Sequence, residues 1–492
     1  MKKIIFFLVF VLIVHCTLKI EDCLAQWEPD VRLTNDPSGS FTSRNNAWNI
    51  ASSGSVVHVV WRDHRDGNPE IYYKRSTDAG VTWGADTRLT NNINNSFSPT
   101  VSISGLVVHV LWWDYRDGNG EIYYKRSTDA GVSWGADTRL TNNIAESSYP
   151  SVAVSGTLVH VVWEDIRDGN LEIYYKRSQD TGVSWGADTR LTNNTSNSEY
   201  PSVAVSGSFV HVMWRDLRDG NYEIYYKRST NGGVSWGTDT RLTNNTANSY
   251  DPSVSVSDSL VHVVWIDQRD GNYEIYYKRS TDVGVSWGAD TRLTNNNAYS
   301  EFPSIAVSGS IVHTVWMDRR DVNYEIYYKR STDGGETWGL DTRLTNDTAY
   351  SYFPSIAVSG NIVLTVWQDN RDGNYEIYYK RNPTGNPTGI VNINAEIPVE
   401  YSLSQNYPNP FNPSTKIKFA IPVCHSSGSW NPVITLKIFD LLGREVATLV
   451  NEQLSPGTYE TEWNPSNYPS GVYFYTLKTN GYTETKKMIL IK

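Results

Sequence analysis

The segment VHVVWRDHRDGNPEIYYKRSTDAGVTWG occupies residues 57–84 and decides the fold of this chain, because the chain repeats it. Each copy places a tryptophan 51 residues after the previous one (112 − 61 = 51), at Trp61, Trp112, Trp163, Trp214, Trp265, Trp316 and Trp367. A period near fifty residues without helical periodicity is typical of a four-stranded β-propeller blade. The sequence therefore predicts an all-β chain with seven blades.

One repeat shows the four predicted strands of a blade. PSVAVSG (150–156) and LVHVVWED (158–165) alternate in polarity, and EIYYKRS (172–178) follows the turn Asp168-Gly169-Asn170. A glycine-containing turn between alternating segments predicts a hairpin. ADTRLT (187–192) is the fourth predicted strand. The motif RLT also occurs once before the first complete repeat, at 32–34, whereas EIYYKRN (376–382) runs into Pro383 without a fourth partner. The N-terminal strand is therefore predicted to complete the seventh blade and to close the ring.

Six turns share the pattern S-x-D/N-x-G-x-T/S-W, which resembles the Asp box, or BNR repeat, of sialidase-like propellers. Six copies around a ring cannot all form one active site, so the acidic position is predicted to be structural, with its side chain accepting hydrogen bonds inside its own turn. These positions are Asp78, Asp129, Asp180, Asn231, Asp282 and Asp333. The resemblance implies that these turns join third and fourth strands on the side away from any ligand.

The opposite face is then expected to carry the loops between second and third strands, where the motif D-x-R-D-G-N repeats. Paired Asp and Arg side chains at this spacing could bind sugar hydroxyls or carboxylates, or could form ion pairs between adjacent blades. The candidate ligand-binding residues are Asp63, Arg65, Asp66, Trp113, Asp114, Arg116, Asp165, Arg167, Asp216, Arg218, Asp267, Arg269, Asp318, Arg320, Asp369 and Arg371. The arginine argues against a calcium loop, and the six repeated strand histidines indicate core residues, so no metal and no cofactor are predicted.

Two functional classes follow from the resemblance. Sialidases hold the substrate carboxylate with three arginines, and here Arg62, Arg215 and Arg319 with Glu164 form the only set that breaks the repeat symmetry and could approximate such a site. The early R-I-P motif of sialidases has no match, since the corresponding region reads SRNNAWNIA (43–51). The expected function is therefore non-catalytic glycan binding. A sialidase-like exo-glycoside hydrolase and a protein-binding adhesion module are the alternatives.

The ends of the chain indicate export. Lys2-Lys3 and the apolar run 4–14 predict a signal peptide over residues 1–25, whose removal leaves Cys424 as the only cysteine. The mature chain, expected to be a monomer, would have no transmembrane segment. A net charge of −10 without basic clusters argues against a nucleic-acid partner.

A propeller over residues 26–382 and a Pro/Gly/Asn-rich linker over 383–400 are predicted to precede a small Ig-like β-sandwich at 401–492. Its segments NYPNPFNPST, FDLLGREV and PSGVYFY, and its lysine-containing end, resemble the type A C-terminal sorting domain of type IX secretion. The resemblance implies recognition by that secretion machinery and a secreted or cell-surface location in a Bacteroidetes-type bacterium. The segment 423–433 departs from the pattern as an insertion.

Overall fold

A computed structural model of the chain describes residues 27–44, 48–384, 391–394, 398–412, 414–422, 433–454, 456–463, 465, 468–479 and 481–491. The predicted signal peptide and Cys424 lie outside the described residues. In the part that is described, every regular element is a β-strand.

The first half of the ring is built from blades 1 to 4. The N-terminal segment and blade 1 contain β1 (Val31–Arg32), β2 (Ser40–Phe41), β3 (Ile50–Ser53), β4 (Val56–Asp63), β5 (Glu70–Ser76) and β6 (Thr87–Arg88). Blades 2 to 4 contain β7 (Ser96–Ser104), β8 (Val107–Asp114), β9 (Glu121–Ser127), β10 (Thr138–Arg139), β11 (Ser147–Ser155), β12 (Leu158–Asp165), β13 (Glu172–Ser178), β14 (Thr189–Arg190), β15 (Ser198–Ser206), β16 (Phe209–Asp216), β17 (Glu223–Ser229) and β18 (Thr240–Arg241).

The second half continues the same order. Blades 5 to 7 contain β19 (Ser249–Ser257), β20 (Leu260–Asp267), β21 (Glu274–Ser280), β22 (Thr291–Arg292), β23 (Ser300–Ser308), β24 (Ile311–Asp321), β25 (Asn323–Ser331), β26 (Thr342–Arg343), β27 (Ser351–Ser359), β28 (Ile362–Asp369) and β29 (Glu376–Asn382). The last sheet has the order β1-β29-β28-β27, which confirms that the N-terminal strand closes the ring.

The seven sheets differ from the predicted strands in two respects. The fourth strand is shorter than predicted, since only Thr189 and Arg190 of residues 187–192 pair with β13. The innermost strand is longer and contains a bulge, which lies between Ser148 and Ser151 in β11. In blade 1 this inner strand is split, so that β2 and β3 pair separately with β4.

Both faces of the second strands are buried, because each sheet is packed between its two neighbours. Val159, Val161 and Trp163 are at most 1% exposed, and so is His160 on the other face. His160 Nδ1 lies 2.8 Å from the Tyr175 hydroxyl, and five further His–Tyr pairs repeat this contact. Burial lowers the pKa of His160 to about 4, so the imidazole is neutral in the core.

Each of the six Asp-box turns packs against the preceding blade. Gly182 has φ +82°, and a Cβ at this position would lie 2.0 Å from the Tyr124 hydroxyl of blade 2. Trp185 of the same turn meets the Tyr124 ring edge-on at a centroid distance of 5.0 Å. The turn therefore fastens neighbouring blades together.

The Gly182→Ala variant is expected to be destabilised, because its methyl group would displace Tyr124 as well as strain the backbone. Gly207→Ala is the matched control, since Gly207 also has positive φ (+56°) but nothing lies within 4 Å of its added Cβ. We expect thermal unfolding to show Gly182→Ala about 2 kcal/mol less stable than Gly207→Ala, which carries the backbone cost alone. Equal midpoints for the two variants would contradict the fastening role.

The C-terminal strands form two four-stranded antiparallel sheets. They are β30 (Val391–Asn394), β31 (Ser402–Leu403), β32 (Thr415–Ile421), β33 (Val433–Phe439), β34 (Glu445–Gln453), β35 (Gly457–Trp463), β36 (Gly471–Thr479) and β37 (Tyr482–Leu490). The sheet orders are β30-β35-β32-β31 and β34-β33-β36-β37, and both contribute to one apolar core that includes Phe419, Leu436 and Tyr475.

The predicted linker needs a correction, because β30 lies inside residues 383–400 and pairs with β35. An open edge of β35 would leave backbone groups unpaired, and β30 covers that edge. Among the described residues, we find no helix with the length and apolar character needed to cross a membrane.

Candidate functional site

The Asp-box side chains are bonded within their own turns. Asp180 accepts hydrogen bonds from Ser184 N (2.8 Å), Ser184 Oγ (2.6 Å) and Ser178 Oγ (2.7 Å). Hydrogen bonds from both serines hold the pKa of Asp180 well below its usual range. Asn231 accepts the equivalent bonds from Ser235 N (2.9 Å) and Ser229 Oγ (2.9 Å), so an amide performs the same task. These groups form turns and are not free for acid–base chemistry.

The Asp and Arg side chains of the D-x-R-D-G-N motif also bond to one another. Asp63 is fully buried and accepts bonds from Arg65 Nε (2.8 Å), Arg65 Nη2 (2.6 Å) and Trp61 Nε1 (2.8 Å). Arg65 also donates to Asp86 (2.7 Å) and lies over the Tyr72 ring, whose hydroxyl donates to Asp66. Burial opposes ionisation of Asp63, but the bonds from Arg65 and Trp61 outweigh it and lower its pKa.

The other blades repeat this network. The equivalent Asp–Arg pairs are Asp114–Arg116, Asp165–Arg167, Asp216–Arg218, Asp267–Arg269, Asp318–Arg320 and Asp369–Arg371, with N–O distances of 2.6–2.7 Å. The two partners of these pairs belong to the same blade. Ion pairs between adjacent blades, the predicted alternative, occur as well at two arginines: Arg65 pairs with Asp36 (3.0 Å) and Arg371 with Asp347 (2.9 Å), both in loops that connect neighbouring blades. The hairpin brings the arginine back onto the aspartate two residues earlier. Fifteen of the sixteen candidate residues therefore take part in bonds within these loops. Trp113, the sixteenth, does not belong to the motif.

Trp113 lines a cavity of about 740 Å³, and of the other lining residues only Arg62 was among the candidates named from the sequence. The cavity lies at the ends of the second strands, at the face that carries the D-x-R-D-G-N loops. The Asp boxes follow the antiparallel third strands and lie at the opposite face. We call it the working-face cavity; it is lined by Phe41, Thr42, Arg44, Arg62, Phe97, Ser98, Trp113, Tyr115, Tyr149, Tyr352, Phe353, Gln368 and Tyr375.

Several lining residues come from the bulges of the innermost strands. The bulge residue has a positive φ between 46° and 53° in six blades: Ser98, Tyr149, Tyr200, Asp251, Phe302 and Phe353. Bulky residues rarely adopt this conformation, and such strain concentrates at functional sites. The sequence marks these bulge positions in two ways. Each of the six residues precedes a proline, and its identity differs between repeats that are otherwise constant.

Arg62 enters the working-face cavity between two aromatic rings. Its guanidinium carbon lies 4.6 Å from the Phe41 centroid and 5.4 Å from that of Phe97. Its Nε is buried and has no hydrogen-bond partner among the described residues. Burial, and then the charge of Arg44, lower the pKa of Arg62 to about 10. Both effects disfavour the cation, and an anion placed here would relieve them.

A second group of charged residues surrounds Arg215 in blades 3 to 5. Arg215 donates to Glu199 (2.7 Å) and Asp251 (3.2 Å), and its guanidinium lies 4.2 Å from the Tyr200 centroid. Glu164, 4% exposed, accepts from Tyr200 N (3.0 Å). Burial raises the pKa of Glu164 to about 8 and that of Asp251 to about 6.

The four residues of the sialidase-like set are not brought together in the working-face cavity. Arg62 lines it, but Arg215, Arg319 and Glu164 are not among its described lining residues. Arg215 is neutralised by two carboxylates, and Arg319 lies 5.8 Å from the Tyr324 ring. No group of three or more His, Cys, Asp or Glu suited to a metal ion occurs within the described ranges.

Comparison with solved structures finds several proteins that resemble this chain. The polysaccharide lyase Uly1 has a TM-score of 0.52 at 9% identity, covering 73% of this chain and 100% of that protein. The phage phi92 endosialidase has 0.46 at 9% identity (94% and 87%), and the Trypanosoma rangeli sialidase has 0.42 at 10% (92% and 89%). At these identities the likeness concerns the fold alone. No curated protein sequence matches the chain.

Residues 405–492 match the family described as "Secretion system C-terminal sorting domain". This match confirms the resemblance of the tail and covers nearly all of the predicted C-terminal sandwich. The chain is therefore a cargo of type IX secretion, a secreted or cell-surface protein of a Bacteroidetes-type bacterium in which a seven-bladed β-propeller precedes the sorting domain.

Proposed function

We propose that the propeller is a non-catalytic glycan-binding module and that the working-face cavity holds the sugar. The observation that carries the proposal is the lining, in which eight of thirteen residues are aromatic. Aromatic rings pack against the C–H faces of sugars, while a few polar groups fix the orientation of the hydroxyls. Thr42 and Ser98 supply hydroxyls at this cavity.

The lining also argues against hydrolysis. Most glycoside hydrolases place two carboxyl groups on either side of the scissile bond. Sialidases use a tyrosine nucleophile instead, but they also need a glutamate beside it and an aspartate as the acid. The described lining of the working-face cavity contains no Asp or Glu. Glu164, the acid of the sialidase-like alternative, is held by Tyr200 N and Ser148 Oγ outside this lining. Binding without turnover fits these residues better than cleavage.

Replacement of Trp113 tests the site. On a glycan array followed by calorimetry, we expect the full mature chain to bind sugars and Trp113→Ala to bind at least tenfold more weakly, about 1.4 kcal/mol, because one stacking surface is lost. Tyr299→Ala is the matched control: Tyr299 is 42% exposed and does not line the cavity. We expect it to bind like the wild type.

Three results would contradict the proposal. Equal loss in both variants would place the sugar elsewhere, and release of free sugar from a fluorogenic sialoside would favour the hydrolase. An array without any bound glycan, together with capture of a surface protein that Trp113→Ala abolishes, would favour the adhesion module.

A further inference from the structure

We infer that the working-face cavity selects glycans that carry a carboxylate, and that Arg62 is the residue that binds this group. The inference rests on the proposed function and deepens it by naming the ligand class. It comes from comparing Arg62 in blade 1 with Arg215 in blade 4, which occupy the same position of the repeat, directly after the strand tryptophans Trp61 and Trp214.

Blade 4 shows how this fold neutralises an arginine at that position. Glu199 lies directly opposite Arg215 in the β15–β16 ladder and receives two of its N–H groups at 2.7 and 2.9 Å. Asp251, the bulge residue of the next blade, accepts a third at 3.2 Å. Both carboxylates have side chains that are 8% exposed, so this charge is compensated inside the protein.

Blade 1 lacks both carboxylates. The residue opposite Arg62 in the β2–β4 ladder is Phe41, and the bulge residue of the next blade is Ser98. No carboxylate among the described residues forms an ion pair with Arg62, and the charged group with the largest effect on its pKa is Arg44, a like charge. A partly buried guanidinium without a counter-ion is costly, and a ligand carboxylate would supply the missing partner.

The cavity combines this cation with sugar-stacking surfaces. Phe97 contacts both Arg62 and Trp113, with its ring centroid 5.2 Å from that of Trp113. A carboxylate held by Arg62 would therefore place the rest of its sugar ring beside aromatic faces. The net charge of the chain is −10, yet the described cavity lining holds two arginines and no acid. Glu146 lies beside the lining and accepts from the Tyr115 hydroxyl at 3.0 Å, so the two arginines outnumber it and the local charge favours an anion.

The test compares each carboxylate glycan with its neutral methyl ester. The full mature chain is screened on an array of neutral and uronate- or sialate-containing oligosaccharides, and the strongest acidic ligand and its methyl ester are measured by calorimetry. We expect bound glycans to carry a carboxylate and the ester to bind at least tenfold more weakly. Arg62→Gln should reduce this ratio to near one. Arg228→Gln should leave it unchanged, because Arg228 lies at the Asp-box face, where it donates to the Val283 carbonyl at 2.8 Å.

A second variant copies blade 4 into blade 1. Ser98→Asp places a carboxylate at the position of Asp251, in a backbone conformation that aspartate already adopts there (φ 50° at Asp251, 46° at Ser98). We expect it to neutralise Arg62 and to abolish the preference for the acid over the ester, while Ser98→Asn, which adds the same volume without charge, keeps the preference. Unchanged melting temperatures establish that the variants are folded.

The outcomes separate the two proposals. Binding of neutral glycans, or equal affinity for acid and ester, overturns the role of Arg62 while the glycan-binding function stands. Retention of the full preference in Arg62→Gln or Ser98→Asp also overturns that role. The absence of any glycan binding overturns the proposed function, and the inference fails with it.

Discussion

A chain that begins at Ser38, and therefore lacks β1, is expected to lose cooperative folding of the propeller at 37 °C. The deletion removes Leu33, which is 4% exposed, and Arg32 and Thr34, which bond the fully buried Glu376. Loss of a buried leucine costs about 2–5 kcal/mol, and a buried carboxylate without its cation about 3–5 kcal/mol. Together these costs approach the whole stability of an ordinary domain.

A point variant tests the same closure in the intact ring. Leu33 in the segment after β1 and Leu89 after β6 are equivalent residues of the RLT motif, and both are 4% exposed. If the N-terminal strand completes the seventh blade as the other fourth strands complete theirs, Leu33→Ala and Leu89→Ala should lower stability equally, by about 2–5 kcal/mol in chemical denaturation. A Leu33→Ala variant as stable as the wild type would show that the closure contributes nothing.

The second large effect concerns pH and Glu164. Burial raises its pKa in the folded protein to about 8, whereas an unfolded glutamate titrates near its ordinary pKa of 4.5. Between these values the folded state holds a proton that the unfolded state has released, so folding stability falls as pH rises. The stability is complete below about pH 4.5, and no further loss follows above about pH 8. The loss amounts to about 5 kcal/mol over this window.

Glu164→Gln removes this titration and imitates blade 7, where Gln368 occupies the same position of the repeat and accepts a bond from Thr42 N at 3.1 Å. We expect the variant and the wild type to be nearly equal at pH 4.5, and the variant to be the more stable protein at pH 8. Asp251 titrates in both proteins, so it cancels in the difference. Denaturation curves whose difference does not change with pH would contradict the raised pKa.

The repeat explains why much of the fold could be predicted. Seven copies of one sequence pattern are expected to form the same structure, so the blade count and the closing strand follow from position alone. The side of the Asp-box turns was implied by the resemblance to sialidase-like propellers. What could not be predicted depends on contacts between blades. The bulge that turns Tyr149 and Phe353 towards the cavity is a register shift. Pro150 and Pro354, which follow these residues, mark its position, but the sequence does not show that it turns the two rings into one cavity.

The candidate site was predicted less well, for a similar reason. Asp63 and Arg65 have the chemistry of a ligand site, but their spacing lets each satisfy the other, and the sequence does not show which contact is formed. The working-face cavity is lined at positions where the residue types of the repeat vary. Phe41 lies opposite Arg62 in blade 1, at the ladder position where Phe97 lies opposite Trp113 in blade 2 and Glu199 opposite Arg215 in blade 4. The sequence shows that the residue types vary at these positions, but it does not show the cavity that they form.

The most direct test of glycan recognition at the working face is a crystal structure of the full mature chain with the strongest array ligand. We predict one sugar in the working-face cavity, uncleaved, with its ring against Trp113 and its carboxylate within hydrogen-bond distance of Arg62. A ligand bound at the Asp-box face, or in the blade 3–5 sector around Arg215, would contradict the account, as would a cleaved product in the cavity.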